Sequence, residues 1–398
     1  MSISFETKRY VVFSILSLLG LLYATILLRG GLRQSSSSGI PISAQLGSTI
    51  RRENATLVIL ARNSDLKGVI SSMRNLERRF NHRYQYPWVF LNDEEFTNEF
   101  KGLVLLETNA PVHFGSIPKE QWVQPAWIDE GKAEESRHRL KEQNIIYGDS
   151  SSYRNMCRFN SGYFFHHPLL QQFKFYWRIE PDVKYFCDMS YDPFQYMIQN
   201  NQTYGFTITL FETPETVTTL WDSVKGNDSD TAYCVFRRKS FKPLFTSPEF
   251  MTKYPQYIAN DNALEFISSD GGKTYNMCHF WSNFEIADMD FWRSDAYQTF
   301  FEFLDAKGGF YYERWGDAPV HSIAAALFLP KHRLHFFQDI GYQHASYQHC
   351  PSSDESLGNS CSCHRWNTID YKKQSCLPQY NAMLLNKATP IVNDLSPW

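Results

Sequence analysis

An α/β fold built on a parallel sheet is what this chain of 398 residues predicts. Three observations carry that expectation. An apolar run, an amphipathic helix and a second apolar run follow one another between residues 56 and 91, which is the strand, helix, strand order of a parallel unit. The composition, 43% hydrophobic and 20% charged, supplies a sizeable core. No internal repeat divides the chain. In order, Thr56-Leu-Val-Ile-Leu-Ala61 suits a buried strand, and Arg62-Asn-Ser64 follows as a turn. Leu66, Val69, Ile70, Met73, Leu76 and Phe80 then recur at three and four spacing, with Ser64 or Asp65 available as the cap. Tyr86-Pro-Trp-Val-Phe-Leu91 reads as the second strand and ends in Asn92-Asp-Glu-Glu95. Further on, Tyr204-Gly-Phe-Thr-Ile-Thr-Leu-Phe211 reads as a strand, and Pro214-Glu-Thr-Val-Thr-Thr-Leu-Trp221 starts a helix. Residues 222–272, with Cys234 and the cluster Arg237-Arg-Lys239, are less regular and read as an insertion or an acceptor-side excursion.

The first fifty residues have a different character. Lys8-Arg9 precedes a stretch, residues 10–28, without a formal charge. Nineteen residues of helix span about 28 Å, one bilayer core, so this reads as an uncleaved anchor behind a cytoplasmic tail, residues 1–9. Residues 29–50, rich in Ser and Gly, make a stem, and residues 51–398 form a single folded domain. Asn54-Ala-Thr56, Asn201-Gln-Thr203 and Asn227-Asp-Ser229 are N-glycosylation acceptors, and eight cysteines make an even number for disulfides. Together they describe a type II membrane protein whose bulk lies in the secretory lumen. A formal charge of -3 provides no basic field, so nucleic acid is not an expected partner.

In parallel sheets, ligands bind beyond the carboxyl ends of the strands, which puts Arg62 at the mouth of a nucleotide or phosphate site. There is neither a GxGxxG nor a P-loop, which disfavours dinucleotide oxidoreductases and P-loop kinases; phosphate charge needs side chains or a metal instead. Glu180-Pro-Asp182 interrupts an aromatic stretch that otherwise reads as a buried strand. Proline cannot donate to a sheet ladder, so the strand stops or opens at Glu180. The two acids are then either a divalent-metal site, with oxygen ligands suited to Mn²⁺ or Mg²⁺, or solvated acids of a surface turn paired to Arg178 or Lys184. In Cys278-His-Phe-Trp-Ser-Asn-Phe-Glu285, Asn283 and Glu285 lie among aromatic neighbours, so Glu285 is a desolvated reactive carboxylate or a core acid satisfied by hydrogen bonds. Asp288 and Asp290 read as helix-start or surface acids. Asp317, with Pro319 two residues later, fits an N-cap. His344, at the end of an apolar run, is a packed residue or a metal ligand. The tail cysteines, from Cys350 through Cys361-Ser-Cys363 to Cys376, fit disulfides better than zinc.

Four long motifs, Ser151-Ser-Tyr-Arg-Asn-Met-Cys-Arg-Phe-Asn-Ser-Gly162, Tyr176-Trp-Arg-Ile-Glu-Pro-Asp-Val-Lys-Tyr-Phe-Cys-Asp188, Cys278-His-Phe-Trp-Ser-Asn-Phe-Glu285 and Gly309-Phe-Tyr-Tyr-Glu-Arg-Trp-Gly-Asp-Ala-Pro-Val-His-Ser322, occur in order along the chain. They resemble the fungal Golgi type II α-1,2-mannosyltransferases of glycosyltransferase family 15, the glycolipid 2-alpha-mannosyltransferase type. The resemblance implies a GT-A-like fold, GDP-mannose as donor, a mannosylated glycan as acceptor, Mn²⁺, and transfer with retention in protein N- or O-glycosylation and cell-wall mannan synthesis. By motif position it implies Glu180 and His344 as metal ligands and Arg62, Arg178 and Asn283 near the donor. It implies Glu285 as the proposed nucleophile, Tyr153 as an active-site tyrosine and Asp317 as a polar active-site group. The surroundings of Cys234 fit the pattern poorly.

Overall fold

A computed structural model describes residues 52–225, 250–352 and 360–385. The stretch 10–28, the stem, Asn227, Cys234 and the cluster at 237–239 lie outside the described residues. Among the described residues, no helix is long and apolar enough to cross a membrane.

Among the described residues twelve strands form three sheets. They are β1 (Ala55–Leu60), β2 (Trp88–Asn92), β3 (Val112–Ser116), β4 (Phe175–Arg178), β5 (Lys184–Tyr185), β6 (Tyr204–Phe206), β7 (Thr209–Phe211), β8 (Cys278–Phe280), β9 (Glu285–Asp288), β10 (Leu334–Phe336), β11 (Tyr342–His344) and β12 (Tyr347–His349). The largest sheet runs β10-β6-β9-β4-β1-β2-β3. β1 pairs in parallel with β2, Leu57 opposite Trp88, as the strand, helix, strand pattern predicts, and with β4, Val58 opposite Arg178. β9 enters antiparallel between β4 and β6 and sets Glu285 opposite Arg178. That register decides the site, because directly opposed residues of two strands share one face.

Both faces of the sheet are covered. Leu57, Ile59, Trp88, Phe90 and Trp177 pack on one side with Val69, Met73 and Leu76 of helix α1 (Leu66–Leu76). Val58, Val89, Leu91 and Tyr176 pack on the other, with α2 (Ser151–Gly162), α3 (Asp295–Lys307) and α4 (Asp317–Phe328). Strands buried on two faces read as continuous apolar runs, which explains why β1 and β2 were visible without alternation. α4 is buried almost throughout, its Asp317, His321 and Ser322 included, so these polar groups need partners inside the core.

Three local expectations need correction. No side chain caps α1: Asp65 instead accepts from the backbone N–H of Arg62 at 2.9 Å, which closes the turn. The segment read as one strand over 204–211 is two, because the chain leaves the large sheet after Phe206 and β7 pairs with β8. Asp317 is not an N-cap, since Gly316 takes that place and no side chain caps α4. The disulfide reading holds: Cys187 pairs with Cys361, Cys278 with Cys376 and Cys350 with Cys363, while Cys157 is free and buried. Asp288 caps the short helix Met289–Trp292 by accepting from the Asp290 N–H, as expected of a helix-start acid. In the irregular region the described part, from Phe250, joins the core, with Phe250 packed on Phe300 and Phe328.

Candidate active site

β4 ends at Arg178, two residues short of the Glu180 that precedes the proline. The turn beyond it is held from α1: the Ser72 hydroxyl donates to the Glu180 carbonyl at 2.8 Å and accepts from the Val183 N–H at 3.0 Å. Asp182 has a left-handed φ of 61° and donates its N–H to the Gly68 carbonyl at 3.1 Å. A Cβ on Gly68 would stand 2.7 Å from the Asp182 carboxylate, so only glycine lets α1 approach the turn. Glu180 is half-buried and Asp182 exposed, so the two acids differ: the first is engaged and the second solvated.

Arg178 gathers three other sequence-predicted groups. Its Nε donates to Glu180 Oε1 at 2.6 Å and its Nη1 to Asp317 Oδ2 at 2.5 Å. Asp317 Oδ2 also accepts from Ser282 Oγ at 2.8 Å. Burial alone would raise the Asp317 carboxyl, but Arg178, then His321, with hydrogen bonds from Arg178 and Ser282, holds it below the ordinary carboxylate value. Burial opposes the charge on Arg178 as well, yet Glu180, Asp317 and Glu285 outweigh it and raise the guanidinium further. Removing either member of such a buried pair strands a charge, at a cost of about 3–5 kcal/mol.

Glu285 has no exposed surface. Oε1 accepts from the Tyr176 hydroxyl, and Oε2 accepts from the Tyr204 hydroxyl at 2.8 Å and lies 2.9 Å from His321 Nδ1. Thus both readings of Glu285 hold in part: it is a desolvated acid and a fully hydrogen-bonded one. A small cavity adjoins it, with about 20 Å³ of room for a water-sized sphere, lined by Leu60, Asn160, Tyr176, Arg178 and Glu285 among others. Val58, Leu91, Phe159 and Phe164 make the rest of its wall, so the hollow is mostly apolar.

His344 ends β11, and its Nδ1 lies 2.9 Å from the Asn283 amide. The ring stacks on Trp281, with centroids 5.6 Å apart. Burial pushes the imidazole below its ordinary value, partly offset by Glu180, and a neutral imidazole is the form that ligates metal. Among the described residues no three His, Cys, Asp or Glu side chains converge on one point. Glu180 with His344 is nevertheless a carboxylate and imidazole set suited to Mn²⁺, and the Asn283 amide nitrogen, against Nδ1, is placed to fix the orientation of the ring. Arg62 is exposed at the carboxyl end of β1 and donates to Ser152 Oγ at 2.5 Å. The next residue, Tyr153, stacks on Tyr147 at 4.6 Å, with the Arg314 guanidinium 5.1 Å from its ring centre. Burial, then Cys157, keeps the Tyr153 hydroxyl protonated by raising its pKa.

The sequence profile of the glycolipid 2-alpha-mannosyltransferase family matches residues 32–384. The chain belongs to that family. Glycolipid 2-alpha-mannosyltransferase 2 of Candida albicans is 49% identical over 327 residues, 82% of this chain and 66% of the relative, just under two thirds of its length. The O-glycoside alpha-1,2-mannosyltransferase omh1 of Schizosaccharomyces pombe is 47% identical over 330 residues, 83% of this chain and 78% of the relative. Among solved structures, core-mannan synthase A of Aspergillus fumigatus, in a Mn/GDP form, superposes with a TM-score of 0.73 at 39% identity and covers 87% of this chain and 91% of that one. The mannosyltransferase Ktr4p of Saccharomyces cerevisiae, in complex with GDP, gives 0.73 at 37% identity, with 85% and 83% covered. The family's mixed α/β glycosyltransferase fold is therefore the fold of this chain.

Reasoning from sequence missed Ser72, Tyr176, Tyr204, Ser282 and His321. His321 alone had a signal: it follows Asp317 by four residues, so both lie on one face of α4. The tyrosines resemble any aromatic core residue until β9 brings Glu285 to them.

Proposed function

We propose that the chain transfers mannose from GDP-mannose to a mannose hydroxyl of a glycan, forming an α-1,2 linkage with retention of configuration. The observation that carries this reading is the meeting of Arg178, Glu180, Asp317 and Glu285 at the carboxyl ends of β1 and β4, in a member of a mannosyltransferase family. Glu180 and His344 would hold Mn²⁺, with Asn283 orienting the imidazole. Bound there, the ion neutralises charge on the departing diphosphate. Arg62 and Arg178 position the diphosphate, and the buried Glu285 carboxylate supplies negative charge beside the developing oxocarbenium. An acceptor hydroxyl attacks C1, the bond from C1 to the GDP oxygen breaks, and the electron pair leaves with GDP. Retention follows from a glycosyl-enzyme on Glu285 or from front-face attack in which the leaving oxygen takes the acceptor proton.

The anchor, stem and lumenal catalytic domain, over residues 10–28, 29–50 and 51–398, belong to the same proposal: a single-pass type II protein of the Golgi membrane. The uncharged stretch, the exposed Asn54 and Asn201 of two sequons, and the three disulfides support it.

The test is to incubate the purified chain with GDP-mannose, Mn²⁺ and methyl α-mannoside or mannobiose and to follow GDP and product mass. Release of GDP with a product longer by one hexose is expected. No turnover across these acceptors sinks the reading, and phosphorus in the product would redirect it to mannosylphosphate transfer.

A further inference from the structure

We infer that His321 is a positioning residue that holds Glu285 as a fixed carboxylate by standing against it as an imidazolium. The inference rests on the proposed mannosyl transfer for its catalytic consequence, but its structural content is independent. His321 and Glu285 have no exposed surface, so solvent cannot serve as the partner of either. The Nε2 of His321 lies 3.0 Å from the carbonyl oxygen of Asn160, which can only accept, so Nε2 carries hydrogen. The Nδ1 faces a carboxylate oxygen at 2.9 Å, so one further proton occupies that contact. Charge requires it to be there. Arg178 is the cation already serving Glu180 and Asp317, and an unprotonated contact would leave a second buried negative charge without a partner.

Two features put that proton on the imidazole. Glu285 also takes hydroxyl hydrogens from Tyr176 and Tyr204, and the Tyr176 oxygen accepts from Trp292 Nε1 at 3.0 Å, which turns its own hydrogen toward the carboxylate. Donors on both oxygens favour the charged form of an acid. The Trp292 ring lies on the His321 ring, centroids 4.3 Å apart and planes 24° from parallel, an arrangement that favours a cationic partner. The pairing is written into the fold as a crossed match. α4 presents Asp317 and His321 one turn apart, and the sheet presents Arg178 and Glu285 as opposed residues of β4 and β9. Each helix group takes the sheet group of opposite charge.

Two measurements on the full chain decide this. With ¹⁵N-labelled histidine, the resonance lost in His321→Gln should show hydrogen on both ring nitrogens at neutral pH in the wild type, and Glu285→Gln should abolish that signature. A ring with an unprotonated nitrogen in the wild type overturns the inference, whatever the activity. In steady-state kinetics with mannobiose, His321→Gln, which keeps a donor but no charge, should lower kcat about 10–100-fold while the KM for GDP-mannose moves less than about threefold. A folded variant that keeps its kcat overturns the positioning role. Absence of mannosyl transfer by the wild type would instead remove the proposed function and leave the histidine spectrum to judge the pair.

Discussion

Asp317 shows how one side chain couples stability to the site. Its folded pKa lies below the ordinary value because Arg178 and His321 overcome the opposing effect of burial. A depressed folded pKa adds stability above the unfolded value, about 3.9, and that contribution is lost as pH falls through the folded value. Wild-type protein should thus melt at lower temperature at pH 3 than at pH 6, and Asp317→Asn should narrow the difference; equal narrowing absent from melting curves would count against the pairing. Glu285→Gln makes a sharper kinetic statement. With three donors around the carboxylate, the amide keeps the volume but loses the charge, and kcat should fall by about 100-fold or more with little change in the KM for GDP-mannose. A variant retaining most of its kcat would exclude a covalent glycosyl-enzyme on that residue.

The elements matter through how closely they approach. α1 reaches the Glu180-Pro-Asp182 turn because Gly68 has no side chain and Ser72 bridges a carbonyl and an N–H of the turn. Ser72→Ala leaves both groups unpaired and should cost about 1–3 kcal/mol. The same change should raise the Mn²⁺ concentration needed for half-maximal activity, because it loosens the loop that carries Glu180. Unchanged melting and an unchanged metal requirement would show that the clamp is dispensable. At the other end of the site, α2 ends on Gly162, where a Cβ would stand 2.0 Å from the Phe301 ring of α3. That packing fixes the helix that brings Ser152 to Arg62.

At the scale of the molecule, the C-terminal segment is tied to the core by covalent bonds. Cys376 reaches Cys278 at the start of β8 across a separation of 98 residues, and Cys361 reaches Cys187 just past the acidic turn across 174. Loops of that length make each bond worth about 2–5 kcal/mol. Unfolding followed by tryptophan fluorescence should therefore occur at distinctly lower denaturant after reduction, and coincident curves would refute a stabilising role. The proposed lumenal location also implies glycans. Asn54→Gln and Asn201→Gln, in chain made by a eukaryotic secretory host, should each remove one glycosidase-sensitive mass increment. If neither changes the mass, the lumenal assignment loses its support.

The strand, helix, strand start of the fold, a strand end close to Glu180, the disulfide character of the cysteines and the family were all legible in local pattern, because periodicity, proline and long motifs act along the chain. The division of 204–211 into two strands was not legible, since which sheet a strand joins depends on partners far away in sequence. Nor was the role of Asp317, whose position beside Pro319 matches a cap while its carboxylate is drawn to Arg178 139 residues earlier. The sequence by itself determined the family and singled out Arg178, Glu180, Glu285 and Asp317 as candidates. Only the tertiary structure decided how they neutralise one another, because the antiparallel entry of β9 opposite β4 and the crossing of α4 over both set Arg178, Glu285, Asp317 and His321 into charge-matched pairs.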